Sequence, residues 1–144
     1  MAFDLRLRMR QLTDMPPATS EGPSVKRVLV ADDKATGREL VRTVLEAKGY
    51  QVFEASDGLE ALEIAHRVHP HLIILDLHMP GLDGFGVIKE LRLHPNFAVT
   101  PVMALTASAM EGDRQRAISS GFTGYITKPV SLKTLRAEVE RLLA

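Results

Sequence analysis

The sequence contains no cysteine. That excludes disulfides, thiolate nucleophiles and cysteine-ligated metal sites, and it fits a reducing compartment. Charge of either sign is not in excess, since 18 Lys and Arg balance 18 Asp and Glu. No overall field draws the chain to nucleic acid or to an anionic membrane. There is no apolar run near the ~20 residues of a membrane-spanning helix. Asp4, Arg6, Arg8 and Arg10 interrupt the N-terminus where a secretory signal needs an apolar core. These absences predict a cytoplasmic protein with neither nucleic acid nor membrane as partner. What is present is ordinary for a globular fold: 144 residues, 45% hydrophobic and 25% charged, enough for one domain and at most a tail.

Residues 1–24 differ in character from the rest. Phe3 to Arg10 alternates apolar and polar at a period of two, and Met15-Pro-Pro through Pro23-Ser24 has linker composition. The expectation is a flexible extension and linker ahead of a folded domain at 25–144, with a short extra strand or arm at Phe3 to Arg10 as the alternative.

From Val25 onward strand and helix patterns alternate. Val25–Ala31 reads as a strand, and Thr36–Lys48 as a helix with Leu40, Val41, Val44 and Leu45 inward and Gly49 as its stop. Gln51–Ala55 is a second strand. The turn Ser56-Asp57-Gly58 leads into a helix with Leu59, Leu62, Ala65 and Val68 on one face, ending before Pro70. Leu72–Leu75 is an uninterrupted aliphatic run between prolines, the mark of a short strand buried on both faces. A helix from about Asp83 carries Phe85, Ile88 and Leu91; the strand Val102–Leu105 follows, then a helix from about Met110 to Ser120 and the strand Thr123–Thr127. The last helix is opened by Ser131 and turns Leu132, Leu135, Val139, Leu142 and Leu143 inward. Five βα units predict an α/β fold with a doubly wound parallel sheet, because parallel neighbours need helical crossovers.

The residues that immediately follow the strands carry the chemistry. They are Asp32 and Asp33 after the first, Asp76 after the third, Thr106 after the fourth and Lys128 after the fifth. In such a sheet these ends lie on one edge and can converge. Crowded carboxylates need cations, which Lys128 and a hard divalent ion, Mg²⁺ or Mn²⁺, would supply to an oxygen-only donor set. A hydroxyl, an ammonium and a divalent ion around one carboxylate are what phosphoryl transfer to that carboxylate requires, and Asp76 is the candidate nucleophile. Each aspartate alone reads as a turn former or helix cap. Their coincidence on four strand ends favours a site.

Asp32-Asp33, Asp76 with Met79-Pro80-Gly81 and Asp83-Gly84, Thr106-Ala107 and Lys128-Pro129 together resemble the receiver (CheY-like) domain of two-component response regulators, over about Val25 to Ala144. The resemblance implies a flavodoxin-like three-layer sandwich of five strands in order 2-1-3-4-5 with five helices. It implies phosphorylation of Asp76 by a histidine kinase or a His phosphotransfer protein. Asp33, Asp76 and the backbone carbonyl of His78 would hold the metal, with Asp32 acting largely through water. Thr106, the Ala107 amide and Lys128 would bind the phosphoryl group. Thr106 and Tyr125 would form the switch, and the Lys128-Pro129 bond would be cis. The protein would then be a signalling phosphoacceptor rather than an enzyme, assisting its own phosphorylation and autodephosphorylation. Output would pass by protein contact through the fourth helix, fifth strand and fifth helix, from a monomer or weak dimer of the stand-alone type, or from a receiver cut out of a hybrid kinase. Two positions depart from the usual pattern: Lys34 after the acidic pair, which either competes for the carboxylates or points to solvent, and His78, at a position that helps set the lifetime of the phosphorylated state.

Other signals are weaker. The glycines of Gly81-Leu-Asp-Gly84-Phe-Gly86 fit a turn better than a dinucleotide fingerprint. His66, His69 and His71 invite a zinc reading that Pro70 and the lack of cysteine argue against. Arg114, Arg116, Lys133, Arg136 and Arg141 read as solvated helix faces or a partner surface. Two other functions compete: a metal-dependent phosphohydrolase working through an aspartyl phosphate, although His78 stands where such enzymes want a second acid, and a flavodoxin-like redox carrier, which Asp32-Asp33 would repel.

Overall fold

The computed structural model describes residues 25–107 and 111–144. The expectations for residues 1–24 and for a helix start at Met110 lie outside these residues. Among the described residues five strands and five helices alternate: β1 (Arg27–Ala31), α1 (Ala35–Ala47), β2 (Gln51–Ala55), α2 (Gly58–Val68), β3 (Leu72–Asp76), α3 (Gly84–Leu93), β4 (Val102–Thr106), α4 (Glu111–Ser120), β5 (Gly124–Thr127) and α5 (Leu132–Leu143). One 3₁₀ turn, Pro95–Phe97, lies between α3 and β4. All neighbouring strands are parallel, in the order β2-β1-β3-β4-β5. The doubly wound sheet and its strand order are therefore as expected. Among the described residues no helix is long and apolar enough to cross a membrane.

Sequence dictates which strands are central. Every residue of β3 and of β4 is buried, and along β1 only Arg27 is not. A strand covered on both faces gains about 1.5–3 kcal/mol from each large aliphatic side chain it buries, so an unbroken Leu-Ile-Ile-Leu run is stable only in the middle of the sheet. Alternate residues then feed two cores. Val28, Val30, Leu72, Ile74, Met103 and Leu105 pack with Val41, Val44 and Leu45 of α1 and Leu135 and Val139 of α5. Leu29, Ala31, Ile73, Leu75 and Ala104 face α2, α3 and α4, meeting Ala61, Ala65, Val87, Ile88, Leu91 and Ala117.

Side-chain caps open three helices. Asp57 accepts the Glu60 amide at 2.8 Å, Asp83 the Gly86 amide at 2.9 Å and Ser131 the Thr134 amide at 3.4 Å. Three large residues expected inward are exposed: Leu40 at 45%, Leu59 at 70% and Leu132 at 40%. In α2 the buried stripe is Gly58, Ala61 and Ala65, small residues that let the helix lie close to its neighbours. Leu59 follows Gly58 by one position, about 100° around the helix, and so misses the stripe.

Candidate functional site

The C-terminal edge of the sheet gathers the polar residues that end or follow β1, β3, β4 and β5. Asp76 is the last residue of β3, in register with Leu105, and the amide of the next residue, Leu77, donates to the Leu105 carbonyl at 2.9 Å. Gly84 packs against this strand end: a Cβ there would sit 2.7 Å from the Asp76 carbonyl oxygen and 2.8 Å from the Leu77 Cα. Only glycine lets α3 start this close. Asp32 follows β1, its amide donating to the Ala55 carbonyl at 3.1 Å. Lys128 follows β5, and its amide donates to the carbonyl of Thr106 at 2.6 Å, which ties the last strand end to β4. The Lys128-Pro129 bond is cis, as expected.

At the centre the Lys128 ammonium bridges two carboxylates. Its Nζ lies 2.9 Å from Asp76 Oδ2 and 3.0 Å from Asp32 Oδ2. The other oxygens of both aspartates take backbone amides, Lys34 onto Asp32 Oδ1 and His78 onto Asp76 Oδ1, each at 2.9 Å. Burial would raise the Asp32 carboxyl, but the Lys34 amide and then Lys128 outweigh it and hold it below its ordinary value. Burial likewise pulls Lys128 down, and the hydrogen bonds it donates to Asp76 and Asp32 override this and raise it. Both partners are therefore held in their charged forms.

Asp33 completes a trio. Ligand oxygens of Asp32, Asp33 and Asp76 lie within 4.8 Å of one another, with Asp32 and Asp76 buried and Asp33 exposed. Three carboxylates against one ammonium leave two negative charges to be balanced. An all-oxygen set with one solvent-facing member fits a hard divalent cation that keeps part of its water shell, as Mg²⁺ does. Thr106 is fully buried at the end of β4, Ala107 is exposed directly after it, and His78 is exposed two residues beyond Asp76. The structure thus brings Asp32, Asp33, Asp76 and Lys128 into one cluster and places Thr106 at the end of the neighbouring strand β4. Lys34 resolves plainly: its side chain is exposed and only its amide engages Asp32.

Tyr125 lies on the edge strand β5, half-buried and opposite Ala104 of β4. It lines a groove of about 470 Å³ with Arg114, Ile118, Phe122, Glu138 and Arg141, between α4, β5 and α5. Arg141 is paired with Glu138 at 2.9 Å, and Arg116 stacks 3.9 Å over the Phe85 ring. These cations are engaged by neighbours rather than simply solvated. Among the described residues, His66, His69 and His71 do not converge as a metal-ligating group. His66 and His69 pack around Phe97 with His94, and His71 Nδ1 accepts the Arg27 amide at 2.9 Å.

Two residues at the site escaped the sequence reading. Arg38 of α1 donates from Nη1 to the Asp32 carbonyl at 2.6 Å, and Glu54 of β2 faces Arg38 Nε at 3.4 Å. Their roles depend on the β1–β2 pairing, which periodicity alone does not reveal.

Comparison with known proteins points the same way. The profile of the response regulator receiver domain matches residues 28–140. The probable transcriptional regulator ycf27 of Porphyridium aerugineum is 43% identical over 118 residues, 82% of this chain and 48% of that protein, so the chain spans about half the length of this relative. Among solved structures, the chemotaxis protein CheY4 of Vibrio cholerae is similar with a TM-score of 0.80 at 33% identity, over 83% of this chain and 100% of that one. The receiver domain of the sensor histidine kinase PA1611 from Pseudomonas aeruginosa PAO1, with a magnesium ion coordinated in its active-site cleft, gives a TM-score of 0.77 at 29% identity, over 83% and 98% of the two chains.

Proposed function

Because this chain belongs to the response regulator receiver domain family, we propose that Asp76 accepts a phosphoryl group from a histidine kinase or His phosphotransfer protein and thereby switches a protein-binding surface. A receiver domain is a signalling phosphoacceptor, and this reading replaces the phosphohydrolase and flavin-carrier alternatives. The observation that carries it is Asp76 at a strand end, 2.9 Å from Lys128 and within a trio of carboxylates.

In the proposed step an Asp76 carboxylate oxygen attacks phosphorus. A P–O bond forms, the P–N bond to the donor imidazole breaks, and that imidazole leaves with the electron pair and takes up a proton. Asp33, Asp76 and the His78 carbonyl would hold Mg²⁺ or Mn²⁺, with Asp32 acting largely through water. When bound, the metal supplies positive charge to the phosphoryl oxygens. Lys128 pairs with another of those oxygens in exchange for its contact with Asp76, and Thr106 and the Ala107 amide donate hydrogen bonds. Thr106 and Tyr125 then transmit the change to the groove between α4, β5 and α5, where a downstream protein docks. Phosphorylation adds close to two negative charges at neutral pH, enough to bias two states a few kcal/mol apart. The same constellation serves autodephosphorylation, and the exposed His78, two residues beyond Asp76, helps set the lifetime of the phosphorylated state. We take residues 25–144 as the working unit, cytoplasmic and monomeric or weakly dimeric.

Incubation with Mg²⁺ and acetyl phosphate tests the proposal. An acid-stable, base-labile phosphoprotein that requires Mg²⁺ is expected, absent from Asp76→Asn. Labelling that persists in Asp76→Asn sinks the assignment.

A further inference from the structure

Asp32 uses every hydrogen-bonding group it has. Its amide donates to Ala55, its carbonyl accepts Arg38 Nη1 at 2.6 Å, Oδ1 accepts the Lys34 amide at 2.9 Å and Oδ2 takes Lys128 at 3.0 Å. Position 37 contributes by what it lacks. A Cβ at Gly37 would lie 2.7 Å from Asp32 Oδ2, so the opening turn of α1 leaves room for that carboxylate only because no side chain is there.

Arg38 is the unusual member of this set. Its side chain is only 17% exposed, and it stands beside a pocket of three carboxylates yet bonds a neutral carbonyl instead. A free guanidinium so placed would swing onto the carboxylates, where it forms stronger, bidentate pairs and would compete with a metal. Glu54 explains why it does not. Glu54 Oε1 faces Arg38 Nε at 3.4 Å, and its Oε2 is itself held by Arg42 Nη1 at 2.7 Å. The β2 carboxylate, shared between Arg38 and Arg42, thus pairs with Arg38 and fixes its direction.

We propose that Arg38, held by Glu54, is a positioning residue for divalent-cation binding: it pins the main chain at Asp32 and so sets the Asp32-Asp33 loop, without offering its charge to the carboxylates. This rests on the reading that the acidic trio holds Mg²⁺. Partners that orient metal ligands from outside the coordination shell typically contribute a factor of roughly 10–100 in metal affinity.

The test is direct titration with Mg²⁺, followed by calorimetry and by amide chemical shifts, on the full chain and its variants, with circular dichroism to confirm folding. Wild type is expected to bind and Asp33→Asn to lose binding. Arg38→Met is expected to weaken binding roughly 10-fold, and Arg38→Lys, which can still reach the carbonyl with one donor, to recover part of it. Glu54→Gln weakens binding as well, and its deficit shrinks at high salt as the released guanidinium charge is screened; the Arg38→Met deficit does not. Should Arg38→Met fail to fold, Arg38→Lys and Glu54→Gln carry the same comparison. Folded variants of Arg38 and Glu54 that bind Mg²⁺ as tightly as wild type overturn the positioning role and leave the phosphoacceptor reading intact. A wild type that binds no Mg²⁺ overturns the metal reading beneath both.

Discussion

Replacing Lys128 by methionine keeps most of the side-chain volume and removes one charge. The ammonium lies 2.9 Å from Asp76 and 3.0 Å from Asp32, whose side chains are 7% and 1% exposed. Removing one partner of a buried pair costs about 3–5 kcal/mol because the remaining charges are left uncompensated. Lys128 is itself 25% exposed, so the lower end, about 3 kcal/mol, is expected. That corresponds to a fall in Tm on the order of 10 °C. The deficit is conditional. A divalent ion replaces the missing positive charge, and a ligand at about 100 times its Kd stabilises the fold by about 2.7 kcal/mol. Urea unfolding followed by circular dichroism, with and without millimolar Mg²⁺, should therefore show a destabilised variant that Mg²⁺ brings most of the way back, by more than it stabilises wild type. Phosphorylation should stay lost, since Lys128 has a proposed role in phosphoryl binding that Mg²⁺ at the carboxylates does not fill. A variant as stable as wild type without Mg²⁺, or a deficit that Mg²⁺ leaves untouched, refutes the electrostatic reasoning.

Further outcomes follow from other contacts. His71 is held below its ordinary pKa by burial and then by Arg27 and Lys26, so the unfolded chain binds the proton first and stability is lost as pH falls below about 6.5. His71→Asn, which can still accept the Arg27 amide, should flatten that part of the stability-versus-pH curve; an unchanged slope contradicts the assignment. Gly84→Ala must push the start of α3 off the Asp76 strand end and should cost about 2 kcal/mol in a thermal melt while slowing phosphorylation. A fully stable, fully active alanine variant would falsify the close-approach argument.

The order of the elements was legible because the pattern speaks where burial is uniform. Leu72 to Leu75 can only be a central strand, and the polar residues after the strands announced the site because a parallel sheet puts those ends on one edge. The helix faces were less legible. Leu40, Leu59 and Leu132 drew attention by size, whereas in α2 Gly58 and Ala61 join the expected Ala65 in making the contact because small residues allow close packing. Arg92 carries no sequence signal either, yet its guanidinium donates to the carbonyls of Phe97, Thr100 and Gly121 and closes the lower loops. Arg38 and Glu54 belong to the same class, since their meeting depends on the register that sets Ala31 against Ala55.

The central claim is that the phosphoryl group goes to Asp76. The most direct measurement is reductive trapping: phosphorylate with acetyl phosphate and Mg²⁺, treat with borohydride, which converts an aspartyl phosphate to homoserine, and map the product by peptide mass spectrometry. Homoserine at position 76 alone, absent when Mg²⁺ is chelated, is the predicted result. Homoserine at position 32 or 33, or a phosphoryl group that survives on another residue type, contradicts it.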